Sequence, residues 1–503
     1  MRTFEPGAPD RSSMSAADLI GAALVEPCRP WSRHLLGGPE WAALLGGLAD
    51  DQTLTLRGMW ADTTAVHSLF RQQSGMPLLL SVATDGGAYA ALSPARPMAA
   101  LFERMIRDLW GHVAQGAPEH CPWLDHGRWP HTQPLALRPG PAPSEREPPE
   151  FSVSDEPGVM QVPLGPIHGL IEEPAHLRLT LRGEAVVRAD AWLGYAHKGI
   201  LMLMRGKSPR TAARFAARLA AEATVAHATA FARAAEAAVE IEPPPRAAQL
   251  RMVMAELERI ISHLDDLGRL AEAAGLGIAQ ATLGFYRERL LRAADRAFGH
   301  RLMMDLIVPG GISADIIPGG LEAIGATLSE LGSKLPDLRR KLDPLLIRLN
   351  QVGLINSREA GGVVGRAALH GFDARHLDPQ YRLRDLLTPR EQSGDAAARC
   401  RVRLAEIGES IRLCREILSE LPDGAVGEVL PAESGEGLGC AESPRGDVWH
   451  WLRLDHGQIA AAFLLDPGWI LWSLAASAIA GATAEEVAMI RLSCGLPVSA
   501  LDL

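Results

Sequence analysis

Residues 246–274 read RAAQLRMVMAELERIISHLDDLGRLAEAA. Apolar side chains fall at Leu250, Val253, Met254, Leu257, Ile260, Ile261 and Leu264, a spacing of three and four that puts them on one stripe of an amphipathic α-helix. Pro243-Pro244-Pro245 marks its start and ends whatever precedes it. Before that break an Ala-rich run, residues 208–239, also reads as helix, opened by Ser208-Pro209 as cap and first-turn pair. Further helical patterns follow near 278–298, 319–351 and 395–420. A domain built on these segments is mainly helical.

Strand patterns flank it. Val159-Met160-Gln161-Val162 leads to Gly165-Pro166. His176–Thr180 alternates, Gly183 punctuates, and Glu184–Arg188 alternates again, which reads as a hairpin. Residues 447–503 return to strand-like and mixed structure. Upstream, residues 138–150, RPGPAPSEREPPE, hold five Pro and several charges and read as a linker. A smaller domain precedes it, with strand-like runs at 53–56 and 77–82 and a helix near 98–110. The expected organisation is an arm over 1–30, a small α+β domain over 31–137, a linker over 138–156 and a larger domain over 157–503. The fold class is α+β.

The chain has 503 residues, of which 47% are apolar and 22% charged, a globular balance that excludes a disordered or collagen-like chain. A net charge of −10 argues against nucleic-acid binding through a basic surface. Arg supplies nearly all the positive charge; the four Lys are 198, 207, 334 and 341. The six Cys (28, 121, 400, 414, 440, 494) are scattered with no C-x-x-C, so neither a zinc ribbon nor a disulfide scaffold is indicated. The N-terminus lacks the pattern of a signal peptide. The uncharged run between Asp466 and Glu485 is rich in Ala, Ser and Gly and reads as a core segment, so any membrane link is expected through a partner.

Generic motifs are absent: no G-x-x-x-x-G-K-[ST], no G-x-S-x-G, no H-E-x-x-H. Glu258 and His263 lie five apart and form no metal pair. Gly310-Gly311 reads first as a turn.

A set of segments in one order is more informative. It comprises Gly165-Pro166-Ile167-His168, Glu172-Glu173-Pro174-Ala175-His176-Leu177-Arg178, and Leu193-Gly194-Tyr195-Ala196-His197-Lys198-Gly199-Ile200. Ala226-His227, Pro245-Arg246-Ala247, Glu256–Leu264 and Gly310–Asp315 follow. Together they resemble the large subunit shared by complex I and the membrane-bound, energy-converting nickel–iron hydrogenases of formate hydrogenlyase and hydrogenase 4 type. The likeness covers roughly residues 159–503. Residues 102–111, FERMIRDLWG, resemble the small α+β complex I subunit that is fused ahead of this domain in those hydrogenases.

In the hydrogenases nickel and iron sit on four thiolates from two C-x-x-C motifs, ligands whose softness suits the centre. The first motif has the form R-x-C-G-x-C-x-x-x-H. Here Arg218 and His227 are in place, and the two cysteines are Ala220 and Ala223. The second motif falls on Ser493–Ala500, with Pro497 and Ala500 at the ligand positions and Cys494 three residues early. No metal ligand is therefore expected, nor hydrogenase activity. The chain stops at Leu503, near the mature end of a hydrogenase large subunit, so no nickel-dependent maturation is expected either.

Complex I has also lost the metal, and a His and a Tyr meet its quinone there. The Tyr position falls on Ala221, and the His position near Pro174 or Ala175, with His168 and His176 close by. By the resemblance, Glu173, His176 and His168 are candidates for proton relay or for facing a quinone. His227 and Arg445 (within Ser443-Pro444-Arg445-Gly446) are candidate cavity-lining groups, His227 also being a candidate satisfied core group and Arg445 a candidate ion-pair partner. Glu236 and His263 are expected to be satisfied core groups, His263 in a helix–helix hydrogen bond.

The resemblance implies a nickel-free member of an oxidoreductase complex, with no cofactor assigned to this chain itself. A quinone is the implied small molecule, and an iron–sulfur cluster is expected in a small partner subunit. Antiporter-like membrane subunits are the other implied partners, placing the chain on the cytoplasmic face of the plasma membrane. The alternative is a non-catalytic structural subunit that docks a soluble module onto an ion-translocating membrane arm. Nothing resembles a dinucleotide fingerprint.

Overall fold

The computed structural model describes residues 15–142, 157–168 and 173–503. The chain forms two compact units, Met1–Pro27 with Trp31–Arg146, and Cys28–Pro30 with Glu147–Leu503.

The first unit contains α1 (Ala16–Gly21), β1 (Leu24–Glu26), β2 (Arg33–Leu36), α2 (Gly38–Leu48), β3 (Leu54–Ala61), β4 (Ala65–Gln72), β5 (Pro77–Ala83), β6 (Ala88–Ala90), α3 (Ala99–Trp110) and β7 (Val113–Gln115). Five strands form one sheet in the order β1-β2-β5-β4-β3, antiparallel except for β2 beside β5. Helix α3 buries Phe102, Met105, Ile106 and Leu109, and packs on β3. Its charged residues are clamps. Glu103 accepts from the Leu92 and Ser93 amides, Asp108 from those of Trp123, Leu124 and Asp125, and Arg104 donates to the Cys121 and Pro122 carbonyls. Those bonds explain why a polar motif sits on a buried helix.

The arm expected over 1–30 is structured from Ser15 onward. Ser15 and Asp18 form a capping box on α1, and β1 pairs with β2. Residues 1–14 of that arm lie outside the described residues, as do residues 143–156 of the expected linker. Its first residues are folded, Gly140 donating to the Thr132 carbonyl at 2.9 Å.

The second unit opens with β8 (Val159–Leu164), β9 (His176–Arg182) and β10 (Ala185–Trp192), an antiparallel sheet turned at Gly183, whose φ is 63°. Then come α4 (Ile200–Met204), α5 (Pro209–Ala216), α6 (Thr224–Ala238), α7 (Pro245–Ala273) and α8 (Gly277–Phe298). The short strands β11 (Ile307–Val308) and β12 (Gly311–Ile312) precede α9 (Gly320–Arg348), α10 (Gly362–Arg366), α11 (Pro379–Arg382) and α12 (Ala396–Ser419). The chain continues through β13 (Gly435–Ser443), β14 (Gly446–Asp455), β15 (Gln458–Leu465), α13 (Gly468–Ile479) and α14 (Glu486–Cys494). Helix α7 packs against α8 and α12, and α9 against both of those. The uncharged run near 467–484 forms α13, with Trp469, Ile470, Leu471 and Trp472 buried. Among the described residues, no helix is long and apolar enough to cross a membrane.

Helix α6 lies directly on β13. Gly435, Gly437 and Gly439 face Ala238, Ala234 and Ala230, and a Cβ on Gly437 would come within 2.0 Å of the Ala234 carbonyl oxygen. The register follows from geometry. Two strand residues rise ~6.8 Å and four helical residues ~6 Å, so glycines at every second position meet alanines at every fourth.

Two expectations change. The run 208–239 is not one helix but α5 and α6, separated by residues 217–223. Strand β13 has no counterpart in the sequence reading, because its glycines suppress the strand signal.

Candidate functional site

The break between α5 and α6 carries Ala220, Ala221 and Ala223. Helix α6 has no capping side chain of its own. Glu258, from α7, caps it instead, accepting from the Val225 and Ala226 amides at 2.6 and 3.0 Å. Burial pushes the Glu258 carboxyl up to about 8, against the pull of those two N–H groups and of Arg259.

The segment after α14 meets this break. Glu173 accepts from the Val498 and Ser499 amides at 2.9 and 2.7 Å. The Lys198 ammonium spans both segments, donating to the Leu219 carbonyl at 3.0 Å, the Ser499 carbonyl at 2.7 Å and the Ser499 hydroxyl at 2.5 Å. Burial lowers the Lys198 pKa, opposed by the carboxylates of Glu173, Asp502, Glu222 and Asp466. Asp502 accepts from the Gly194 and Ala196 amides, and burial pushes it up to about 6.

All four positions that would carry thiolates are buried: Ala220, Ala223, Pro497 and Ala500. Alkyl side chains offer no ligand, and Cys494 ends α14 on its own. Among the described residues no group of three or more His, Cys, Asp and Glu could hold a metal ion. The residues present do not fit a nickel–iron centre.

Beside them is a cavity of about 280 Å³. Five carboxylates (Glu173, Glu222, Glu258, Asp265, Asp266) and four guanidinium groups (Arg269, Arg287, Arg445, Arg491) line it, with apolar contributions that include Ile261 and Val498. Arg445 pairs with Glu222 at 3.1 Å and Asp266 at 3.8 Å, and donates to the Gly495 carbonyl. It therefore acts as an ion-pair partner as well as a wall of the cavity.

Of the candidates from sequence, Glu173 and Arg445 line this cavity, whereas His168, His176 and His227 do not. His227 is turned into the core, where its Nδ1 meets His450 Nε2 at 2.9 Å and its Nε2 meets Asp466 at 3.0 Å. The reason is packing: α6 is covered along nearly its whole length, leaving its histidine only buried partners. His176 lies on β9 opposite Trp192 and is buried, which lowers its pKa, helped by Arg178. His168 is half-buried ahead of residues 169–172, which lie outside the described residues.

Glu236 is satisfied by Arg251 and the Gly310 amide, and Arg251 also holds the Gly311 carbonyl, so Gly310-Gly311 is a pinned turn. His263 bonds Glu406 of α12 at 2.8 Å. Sequence reasoning missed Glu258, Lys198, Glu222 and Asp266. For Glu258 and Asp266 a signal existed: charged residues interrupt the most apolar stretch of α7.

Residues 279–434 match the family described as the respiratory-chain NADH dehydrogenase 49 kDa subunit, and residues 198–266 match nickel-dependent hydrogenases. The chain belongs to this family of large subunits, shared by respiratory NADH dehydrogenases and nickel-dependent hydrogenases. It is 30% identical over 273 residues to an NADH-quinone oxidoreductase subunit of Rickettsia bellii, covering 52% of this chain and 70% of that one. It is 28% identical over 418 residues to formate hydrogenlyase subunit 5 of Escherichia coli, covering 77% of this chain and 72% of the relative. A chain from the structure of the membrane-bound sulfane sulfur reductase, an archaeal respiratory membrane complex, shares the fold. Its TM-score is 0.66 at 23% identity, over 70% of this chain and 100% of that one.

Proposed function

We propose that this chain is a nickel-free large subunit of a membrane-associated, complex I-related oxidoreductase, shaping a cavity for proton-coupled electron transfer beside an iron–sulfur subunit. The observation that carries the reading is the replacement of all four thiolate positions by Ala220, Ala223, Pro497 and Ala500, with the adjoining cavity and its carboxylates retained. The partner's cluster supplies electrons, and this chain supplies positioning and electrostatics.

Glu258 is suited to give a proton to the cavity near neutral pH, since burial holds its proton to about pH 8. Glu173 is held by the Val498 and Ser499 amides, with Arg445 on the same wall. A quinone head group would meet Arg445 and Glu173 here. The cavity is slightly below the usual range for small-molecule sites, ~300–1,000 Å³, and its charged lining favours proton handling over an apolar tail.

A second reading, a non-catalytic docking subunit, is favoured by Lys198, which closes the former metal position by tying its two segments together. Metal and quinone analysis of the native complex, purified through a tag on this chain, separates the readings. Iron–sulfur clusters and quinone without nickel support the first. Absence of a cluster-bearing partner and of quinone supports the second. One nickel per chain overturns both.

A further inference from the structure

The core between α7, α10, α12 and β13 holds a second group of charges, separate from the cavity lining. Four carboxylates and three guanidinium groups are bonded to one another there. Glu256 accepts from Arg375, Tyr381 and Ser410, and lies 3.4 Å from Arg259. Asp373 pairs with Arg375 at 2.7 Å and with Arg366 at 3.6 Å. Glu406 pairs with Arg366 at 2.7 Å and Arg259 at 3.7 Å, and receives His263 at 2.8 Å. Glu442 pairs with Arg366 at 2.8 Å and accepts from the Ala374 amide at 2.9 Å. Every one of these seven charged residues is buried.

Their charges do not balance. Glu256, Asp373, Glu406 and Glu442 carry four negative charges when ionised, and Arg259, Arg366 and Arg375 carry three positive ones. Asp447, opposite Glu442 in the β13–β14 register, accepts from the Trp449 indole N–H at 2.7 Å and stands outside these seven, and the Arg403–Asp266 pair, 3.1 Å apart, faces His263 without changing the balance. A further titratable group, Cys440, lies on the same strand and is buried, its thiol pushed up to about 12 by burial. An uncompensated buried charge is strongly disfavoured, so a cluster with more carboxylates than guanidinium groups is suited to take up a proton. It can do so in two ways. Either Glu442 is protonated and His263 neutral, or Glu442 is ionised and His263 is an imidazolium. No bond other than O–H or N–H changes between them.

We propose that this cluster is a one-proton store, with Glu442 as the resting seat and His263, linked to it through Glu406 and Arg366, as the alternative seat. His263 Nδ1 is buried with no hydrogen-bond partner. Asp266, three residues on along the same helix, lines the cavity. Burial and the neighbouring Asp373 push Glu442 up to about 7, whereas Arg366 and His263 hold Glu406 well below the usual range despite its burial. Burial lowers the His263 pKa against the pull of Glu406, consistent with a neutral imidazole at rest. The store goes beyond the redox reading above and does not require it, because its protonation can be measured on the full chain alone.

The test is infrared difference spectroscopy of the full chain between pH 5.5 and pH 8.5, compared with Glu442→Gln and Glu406→Gln. The wild type should show a protonated-carboxyl C=O band that bleaches as pH rises. Glu442→Gln should lack that component. Glu406→Gln removes one negative charge, leaving three carboxylates against three guanidinium groups, so Glu442 should release its proton and the component should titrate at lower pH. Either variant decides the matter if the other fails to fold. Difference spectra identical to wild type in a folded variant would overturn the store, because Glu442 would then not be exchanging a proton between these pH values.

Discussion

Replacing Glu258 by Gln should change how stability depends on pH more than stability itself. The folded-state carboxyl, at about 8, stands above its ordinary value of 4.5 because of burial. Between these values the unfolded chain gives up a proton that the folded chain keeps. Glu258 therefore costs nothing below about pH 4.5, and the protein loses stability as pH rises until the folded group also ionises near 8. At 1.36 kcal/mol per unit the gap is worth on the order of 3–5 kcal/mol. Gln cannot ionise, and its amide oxygen still accepts from an amide at the start of α6. Melting curves of wild type and Glu258→Gln from pH 5 to pH 9 are the assay. At ~2 °C per kcal/mol for a large unit, the Tm of the variant should rise relative to wild type by roughly 6–10 °C across that span. Parallel curves would refute the reasoning. They would mean that the two backbone N–H groups outweigh burial and that Glu258 is ionised at neutral pH.

Three further outcomes are expected. Lys198→Met removes three hydrogen bonds from one ammonium and should cost about 2–3 kcal/mol, with faster amide exchange at Val498 and Ser499 as the specific sign; unchanged exchange there would show that the ammonium holds nothing in place. Gly437→Ala places a Cβ against the Ala234 carbonyl and should prevent the second unit from folding, as seen by loss of its melting transition, whereas Gly284→Ala, on α8 with nothing within 4 Å, should be tolerated. Arg366→Met leaves Glu406 and Glu442 without their shared partner and should lower stability by about 3–5 kcal/mol; a loss below about 1 kcal/mol would mean that water replaces the guanidinium.

The sequence was most legible where local pattern and tertiary contact agree. The stripe over 246–274 becomes α7 with almost the same ends, Pro245–Ala273, because the proline run fixes one end and burial fixes the face. The alternation after His176 becomes β9 and β10 for the same reason. That positions 220, 223, 497 and 500 carry no cysteine is a matter of residue identity and needed no geometry. By contrast, the break at 217–223 is invisible within an Ala-rich run, since Ala favours helix at every position; the helix start there is capped by Glu258, more than thirty residues on. Strand β13 is hidden because its glycines matter for what they admit, the backbone of α6, and not for any strand preference. For His227 the resemblance left two positions open, cavity wall and core, because a motif match along a helix does not say which of two buried faces a residue occupies; the structure turns it to the core. The surplus carboxylate at Glu442 could not be counted until four separate elements had been brought together.

Lys198 also bears on how such a protein changes over generations. In a centre held by four thiolates the metal is a cross-link as well as a reagent. Here an ammonium from a neighbouring loop joins the same two segments, while Glu258 and Glu173 fasten each of them independently. Architecture and chemistry are thereby uncoupled. A chain with these anchors can therefore carry alanine where a metal would otherwise be the cross-link.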